Sequence, residues 1–442
     1  MTGPLRVTTL GFFTLGVLIA FEMLAVATVM PVVAADLGGV QMYALAFAAP
    51  LAISVLALTV AGPWMDRRGL LTPVLIGASV FSAGLVVCGL APDMTLFLLG
   101  RGIYGFGAGI LTVAMFVVAA RCYTSAQRPS VFALYTSTFM VGALVGPVVA
   151  GTVADHLDWR WVFLPAPGFS AVAVAMLWRA IAPLAGTSTE PFDRRRLGWA
   201  AVTAAGILGL SAAGQRTLPA WPWLLTGSVL VVVIAVPRLL PEGTWSFRPG
   251  LPSTIAMRGL VGSAFLCLES YMPLALIQFR GCSPTVAGTA LTVSAVMWFA
   301  GTWLCARPDL FNHIPSRLRI GIAGAAAGVA SVLLLLVDGI PLPLIMVGWA
   351  ISALGMGMTL PTLAVAVLDR SPDDQVGANS AATHLNDAVS QSMTYALGSV
   401  AFGALIVTSP SAAFASVVVL SLTLMAVALI PLTRAFDRNS VR

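Results

Sequence analysis

Apolar residues fall into runs of roughly 17–25, the length a helix needs to cross a bilayer, separated by short polar connections. Six runs precede the centre: Leu10–Ala34, Met42–Ala61, Leu71–Ala91, Thr95–Ala120, Ser130–Val153 and Val162–Ala182. Two shorter ones follow, Leu197–Gly214 and Trp223–Pro237. Six more complete the chain: Ile255–Gln278, Pro284–Cys305, Leu318–Val337, Leu342–Leu368, Gly377–Val407 and Ala412–Leu432. The pattern predicts an all-α polytopic membrane protein of fourteen spans. The longest polar, turn-rich connection is residues 183–196, PLAGTSTEPFDRRR. The layout therefore reads as two six-helix bundles with an inserted two-helix hairpin: residues 1–182, then a cytoplasmic linker and hairpin over 183–250, then 251–442. A transport path between bundles, with its site near the bilayer midplane, is how such duplicated helical sets commonly work.

Arginine placement tests the count, because cytoplasmic loops carry the basic excess. With the N-terminus inside, Arg67, Arg68, Arg194, Arg195, Arg196, Arg258, Arg307, Arg317, Arg319 and both termini face the cytoplasm. Arg160, Arg216 and Arg280 lie outside, and Arg101 lies within span 4. Merging spans 7 and 8 would turn Arg307, Arg317 and Arg319 outward, so fourteen spans fit better than thirteen.

Composition changes the picture in three ways. At 59% hydrophobic and 9% charged residues with a mean hydropathy of +0.96, the chain is excluded from the soluble enzymes. The first run is too long for the core of a cleavable signal and lacks a small-residue cleavage site, so it is expected to stay as span 1. All 23 basic residues are arginine, and Ala, Val, Gly and Leu abound, which suggests a high-GC bacterial genome and the inner membrane of that cell, with both termini cytoplasmic. The net charge of +6 reflects loops facing anionic lipid and calls for no nucleic-acid partner. Cys88, Cys267 and Cys305 lie within runs, Cys122 follows the fourth, and Cys282 falls in an external loop; they compose no disulfide framework and no metal site.

Three carboxylates, Glu22, Glu269 and Asp387, sit near the middle of apolar runs. A buried charge there costs several kcal/mol unless paired, hydrated or protonated, so such groups point to ions, protons or a polar ligand. In span 13, Ser380, Thr383, His384, Asp387, Ser390, Gln391 and Thr394 recur at steps of three and four, which puts them on one helical face that should line water or a ligand. The alternative for this stripe is interhelical hydrogen bonding. Glu269 has no comparable stripe and reads equally as a substrate contact or as a structural acid satisfied by a neighbour. No P-loop, catalytic triad or metal-ligand spacing appears, so the sequence implies neither an enzyme nor ATP coupling.

Several motifs carry a family resemblance. Between spans 2 and 3, Gly62-Pro-Trp-Met-Asp66-Arg67-Arg68-Gly69 resembles the G-x-x-x-D-R-x-G loop of the major facilitator superfamily. Span 4 has Gly100-Arg101-Gly102 followed by Gly105, Gly107 and Gly109, similar to the family's arginine-plus-glycine helix. In span 5, Gly142-Ala-Leu-Val-Gly146-Pro147 resembles the antiporter motif, and Trp159-Arg160-Trp161-Val162-Phe163 matches a run found in many exporters of the family. Similarity continues through residues 192–198, 270–288, 354–357 and 372–377, and the whole looks like the fourteen-span drug:proton antiporter branch. In that branch an acid in the first helix precedes a proline by nine residues, as Glu22 precedes Pro31 here. The branch commonly has an arginine near the position of Asp387, so this chain reverses the charge there.

What the resemblance implies is proton-coupled export of a hydrophobic or cationic small molecule by alternating access, driven by the proton gradient without a cofactor, in a protein acting as a monomer in the lipid bilayer. Glu22 is expected to carry the coupling proton, Arg101 to modulate it, and Asp387 with His384 to form a second titrating pair. Substrate contacts are assigned to Glu22, Glu269, His384, Asp387 and Gln391, and conformational gating to Gly62, Asp66, Arg67, Gly69, Gly142, Gly146 and Pro147. Two other readings stay open: a facilitator or importer of a polar metabolite, and a non-transporting lipid-binding or envelope scaffold protein.

Overall fold

The computed structural model describes residues 3–124, 127–186, 193–215, 219–305, 307, 313–372 and 376–436. Among them are fifteen α-helices and no strand: α1 Gly3–Asp36, α2 Leu45–Arg68, α3 Leu71–Gly89, α4 Met94–Cys122, α5 Arg128–His156, α6 Ala166–Ile181, α7 Arg194–Gly214, α8 Trp221–Ala235, α9 Leu251–Arg280, α10 Pro284–Cys305, α11 Ile314–Ser331, α12 Leu342–Asp369, α13 Val376–Leu405, α14 Pro410–Val427 and α15 Leu429–Ala435. Helix is the only open structure that satisfies every backbone group within hydrocarbon, which is why apolar runs of this length fold this way. Large apolar side chains remain exposed along the helices, such as Trp223, Leu99, Phe169 and Trp303, as lipid-facing surfaces require.

Among the described residues, thirteen helical stretches are long and apolar enough to cross a membrane. Helix α13 is not one of them although it is 30 residues long, because its polar face lowers the mean hydropathy. Among the predicted runs whose bounds differ are spans 6 and 14. Span 6 begins late, since Asp158 caps a separate 3-10 turn at Trp159–Val162 by accepting from Arg160 N at 2.9 Å, and α6 restarts after Pro165. Span 14 is broken after Val427, four residues before Pro431, which has no N–H to return to that carbonyl. Within the predicted linker, residues 187–192 lie outside the described residues, as do 373–375 of the later motif and the arginines at 216, 438 and 442.

Internal contacts divide the chain into two units, residues 1–204 with 283–288, and residues 205–282 with 289–442. In the first, α3 packs on α4, α4 on α2, and α1 on α5 and α6. The α3–α4 approach is set by small residues: a Cβ at Gly84 or Gly107 would strike the backbone of Tyr104 or Phe81. In the second unit α11 packs on α12, while α9 meets α13 and α14 and is buried along most of its length. Phe265 of α9 stacks on Trp349 of α12 at 5.0 Å, and Trp349 Nε1 donates to Ala290 O of α10 at 3.0 Å. Helix α9 ends in the left-handed Gly281 (φ 62°), whose turn returns N–H groups to Ile277 and Leu276.

Candidate transport site

The first unit holds an acid with nothing to bond. Glu22 lies midway along α1, fully buried, with both carboxyl oxygens lacking a hydrogen-bond partner among the described residues. Its neighbours on the helix, Leu18, Ala25 and Val26, are also buried. Thr28 Oγ1, six residues on, is buried and unpartnered as well. From α4, Arg101 comes close enough for its charge to act on Glu22, although no ion pair joins them. Arg101 is 3% exposed; its Nε donates to Ala46 O at 3.1 Å, its guanidinium lies 4.7 Å from the centre of the Tyr104 ring, and its Nη1 is unpartnered. Helix α5 presses on α1 here, since a Cβ at Gly142 would meet Ala20 and Phe21, while a Cβ at Gly146 would stand 3.6 Å from Phe21, in ordinary contact. Pro147 follows inside α5. The chemistry available is a carboxyl group with no protein partner among the described residues beside an incompletely satisfied cation, and buried polar groups in that state are costly.

The second unit pairs its acids. Asp387 of α13 accepts from Arg258 Nε of α9 at 2.9 and 3.3 Å, and Arg258 Nη1 donates to Leu360 O of α12 at 3.3 Å. Arg258 lies eight residues into α9 with its side chain 17% exposed. The expected Asp387–His384 pair is thus part of a larger set, with Arg258 as the ion-pair partner and His384, exposed on α13, within electrostatic reach of both. Of the rest of the stripe, Thr394 bonds to α9, as do Asn386 and Tyr395, which lie beside it on α13. Asn386 Nδ2 donates to Ile255 O at 2.8 Å and Thr394 Oγ1 to Ser263 Oγ at 3.0 Å, while Tyr395 and Ser270 hydroxyls meet at 2.5 Å, so these groups bind α13 to α9. Ser380 and Gln391 are half-buried on α13. Glu269 is satisfied by a neighbour, accepting from Ser294 of α10.

Of the residues expected to act in gating, Asp66, Arg67 and Gly69 lie at the end of α2, whereas Gly142, Gly146 and Pro147 lie inside α5. Asp66, at the end of α2, accepts from Arg121 Nη2 of α4 at 2.8 Å, and Arg121 Nη1 reaches Ala185 O at 3.3 Å. Gly69 adopts φ 76°, where a side chain would be strained, and a Cβ there would run into Leu184 O. Gly62 has open space around it, and Arg67 is exposed. The Trp159-Arg160 run forms a cluster of its own. Trp159 Nε1 donates to Asp36 Oδ2 at 3.0 Å, Arg160 Nη1 reaches the same oxygen at 3.4 Å, and Arg160 Nη2 donates to Ala91 O at 3.3 Å. It pins the end of α1 to the turn before α6 and to the end of α3. No group of three or more His, Cys, Asp or Glu side chains is placed to hold a metal among the described residues.

A polytopic helical protein with ionisable side chains buried in its spans has the construction of a membrane solute carrier. The profile of the Major Facilitator Superfamily matches residues 12–394, and the chain belongs to that superfamily. It is a multi-pass membrane transporter and not an enzyme. It is 24% identical over 370 residues to the multidrug transporter protein MdtP of Bacillus subtilis, covering 81% of this chain and 68% of that one. It is 26% identical over 334 residues to the efflux pump FUS6 of Gibberella fujikuroi, covering 71% of this chain and 55% of the pump. An MFS-type transporter of Mycobacterium tuberculosis is 25% identical over 415 residues, 89% of this chain and 58% of that protein. The chain thus spans only a little over half the length of the last two. Its fold is that of a POT family transporter solved with 5-aminolevulinic acid, with a TM-score of 0.72 at 14% identity over 99% of this chain and 97% of that one. A D-xylose-proton symporter aligns with a TM-score of 0.68 at 15% identity, covering 98% of each chain.

Proposed function

We propose that this transporter is a proton-coupled exporter of hydrophobic or cationic small molecules, with Glu22 carrying the coupling proton. The observation that carries the reading is the isolation of Glu22: a fully buried carboxyl with two unpartnered oxygens and a cation close by. Such a group is poised to exchange a proton or a bound cation as its access changes, because burial makes its two protonation states respond strongly to water, Arg101 and ligand. Arg101 modulates the release step. Asp387, held by Arg258, is a second titrating site, and Glu269, His384 and Gln391 offer polar contacts to substrate. Names of relatives that include a multidrug transporter and an efflux pump support the export direction.

In this reading the chain crosses the bacterial inner membrane fourteen times, counting α13 and the α7–α8 hairpin, with both termini cytoplasmic. It works as a monomer by alternating access, with the proton gradient as its energy source and no cofactor. The test uses proteoliposomes with an imposed pH gradient and a panel of cationic and neutral dyes. Glu22→Gln should abolish gradient-driven efflux while retaining downhill exchange, and Glu22→Asp should keep partial activity because the charge stays while its reach shortens by one methylene. Uphill pumping by Glu22→Gln at the wild-type rate would remove Glu22 from the coupling role.

A further inference from the structure

The second unit contains a cavity of about 230 Å³ that no charged side chain lines. Its walls come from the connection after α8, through Thr244 and Trp245, from α9 through Ser263, and from α13 through Asn386, Ser390 and Met393. The connection is a built wall. Phe247, which also lines the cavity, holds φ at 53°, a conformation that bulky residues adopt only where their surroundings over-determine it. Those surroundings are on view: Arg248 N donates to Gly243 O at 3.0 Å, Ser253 Oγ to Arg248 O at 2.7 Å, and Arg434 Nη1 of α15 to Ser246 O at 3.1 Å. Across the cavity, α9 and α13 are brought together at Gly259, where a Cβ would strike Asn386 and Ser390.

One polar group at this site is left over. Thr244 is 2% exposed and its hydroxyl has no partner among the described residues. Asn386 and Thr394, by contrast, already use their donors on α9. Buried hydroxyls are seldom left unsatisfied, and the exceptions call for a missing partner.

We propose that this cavity is a binding site for a small neutral amphiphile of the monocyclic phenol type. A charged ligand would find no counter-ion among the described lining side chains, which disfavours it. Trp245, Phe247 and Met393 offer faces that suit an aromatic ring, and Thr244 offers the hydroxyl that would fix its polar end. An apolar cavity of about 150 Å³ holds benzene, so the larger volume here suits a ring with a hydroxyl and a short alkyl group. The site involves no proton movement and does not rest on the transport cycle proposed above.

The experiment uses the full chain in lipid nanodiscs, with a diazirine-bearing phenol as photolabel and para-propylphenol as competitor. Labelling should saturate, map to peptides containing Trp245 and Met393, and be displaced by para-propylphenol. The benzoate of the same size and shape should compete at least about tenfold less well, the counterpart of roughly 1.4 kcal/mol. Ser390→Leu, which fills the cavity, should weaken labelling at least about tenfold, and Thr244→Val several-fold. Unsaturable labelling spread over lipid-facing helices, equal competition by the benzoate, or undiminished labelling of Ser390→Leu would overturn the proposal. If Ser390→Leu does not fold, the wild-type label map and the phenol-to-benzoate ratio decide it alone.

Discussion

At the scale of single residues, the two units treat buried charge in opposite ways. Glu22 is left without a partner, whereas Asp387 is held by Arg258 at 2.9 Å with both side chains mostly buried. Removing one member of a buried pair strands the other and costs about 3–5 kcal/mol in the fully buried limit, while removing both together is often nearly neutral. Arg258→Leu and Asp387→Leu should each lower the melting temperature of the purified protein, and the double variant should recover most of the loss. A coupling energy of about 1–3 kcal/mol is expected, because the groups are in contact. Simple addition of the two losses would mean that the contact at 2.9 Å carries no stabilisation. Glu22→Gln, by contrast, should leave stability unchanged or raised, since it removes a buried ionisable group that bonds to nothing.

At the scale of helices, the outcome shows what a linear pattern can and cannot carry. Span lengths and the existence of α13 were legible, the latter from a polar stripe that hydropathy alone misses. The partners of α13 were not, because Asp387 and Thr394 of the stripe, and Asn386 and Tyr395 beside it, bond to α9 residues about 125–131 positions away, and no periodicity links such distant groups. The pairing of Arg258 with Asp387 was hidden for the same reason: an arginine near the start of a run shows no partner until the helices are packed. The isolation of Glu22 followed from the sequence, since only apolar residues surround it on its own helix. Topology itself is testable with native cysteines. Cys282, between α9 and α10, should react with an impermeant maleimide in intact cells, and Cys122, at the end of α4, only after permeabilisation. Burial pushes the Cys282 thiol up, with Arg280 opposing. Its thiolate fraction, and so its labelling rate, should therefore climb as pH is raised from 7 to 9, by up to about tenfold per unit. Labelling of Cys122 but not Cys282 from outside would invert the topology.

At the scale of the whole molecule, alternating access requires elements that favour one state without binding the solute. In the proposed cycle that part falls to the loop after α2. Asp66, Arg121, Gly69 and the carbonyls of Leu184 and Ala185 tie the ends of α2, α4 and α6 together, and no member lies near Glu22 in sequence or shares its helix. The pair is half-exposed on the carboxylate side, so its contribution is on the order of 0.2–1 kcal/mol. A bias of about 1 kcal/mol shifts a two-state equilibrium roughly five-fold, enough to change a turnover rate and too little to unfold the protein. Asp66→Asn should accordingly slow transport a few-fold while leaving equilibrium ligand binding within a few-fold of wild type, and Asp66→Glu should restore part of the rate. Measured side by side in the same proteoliposomes, loss of binding in a folded Asp66→Asn protein would place this residue in the solute site and end its assignment to gating.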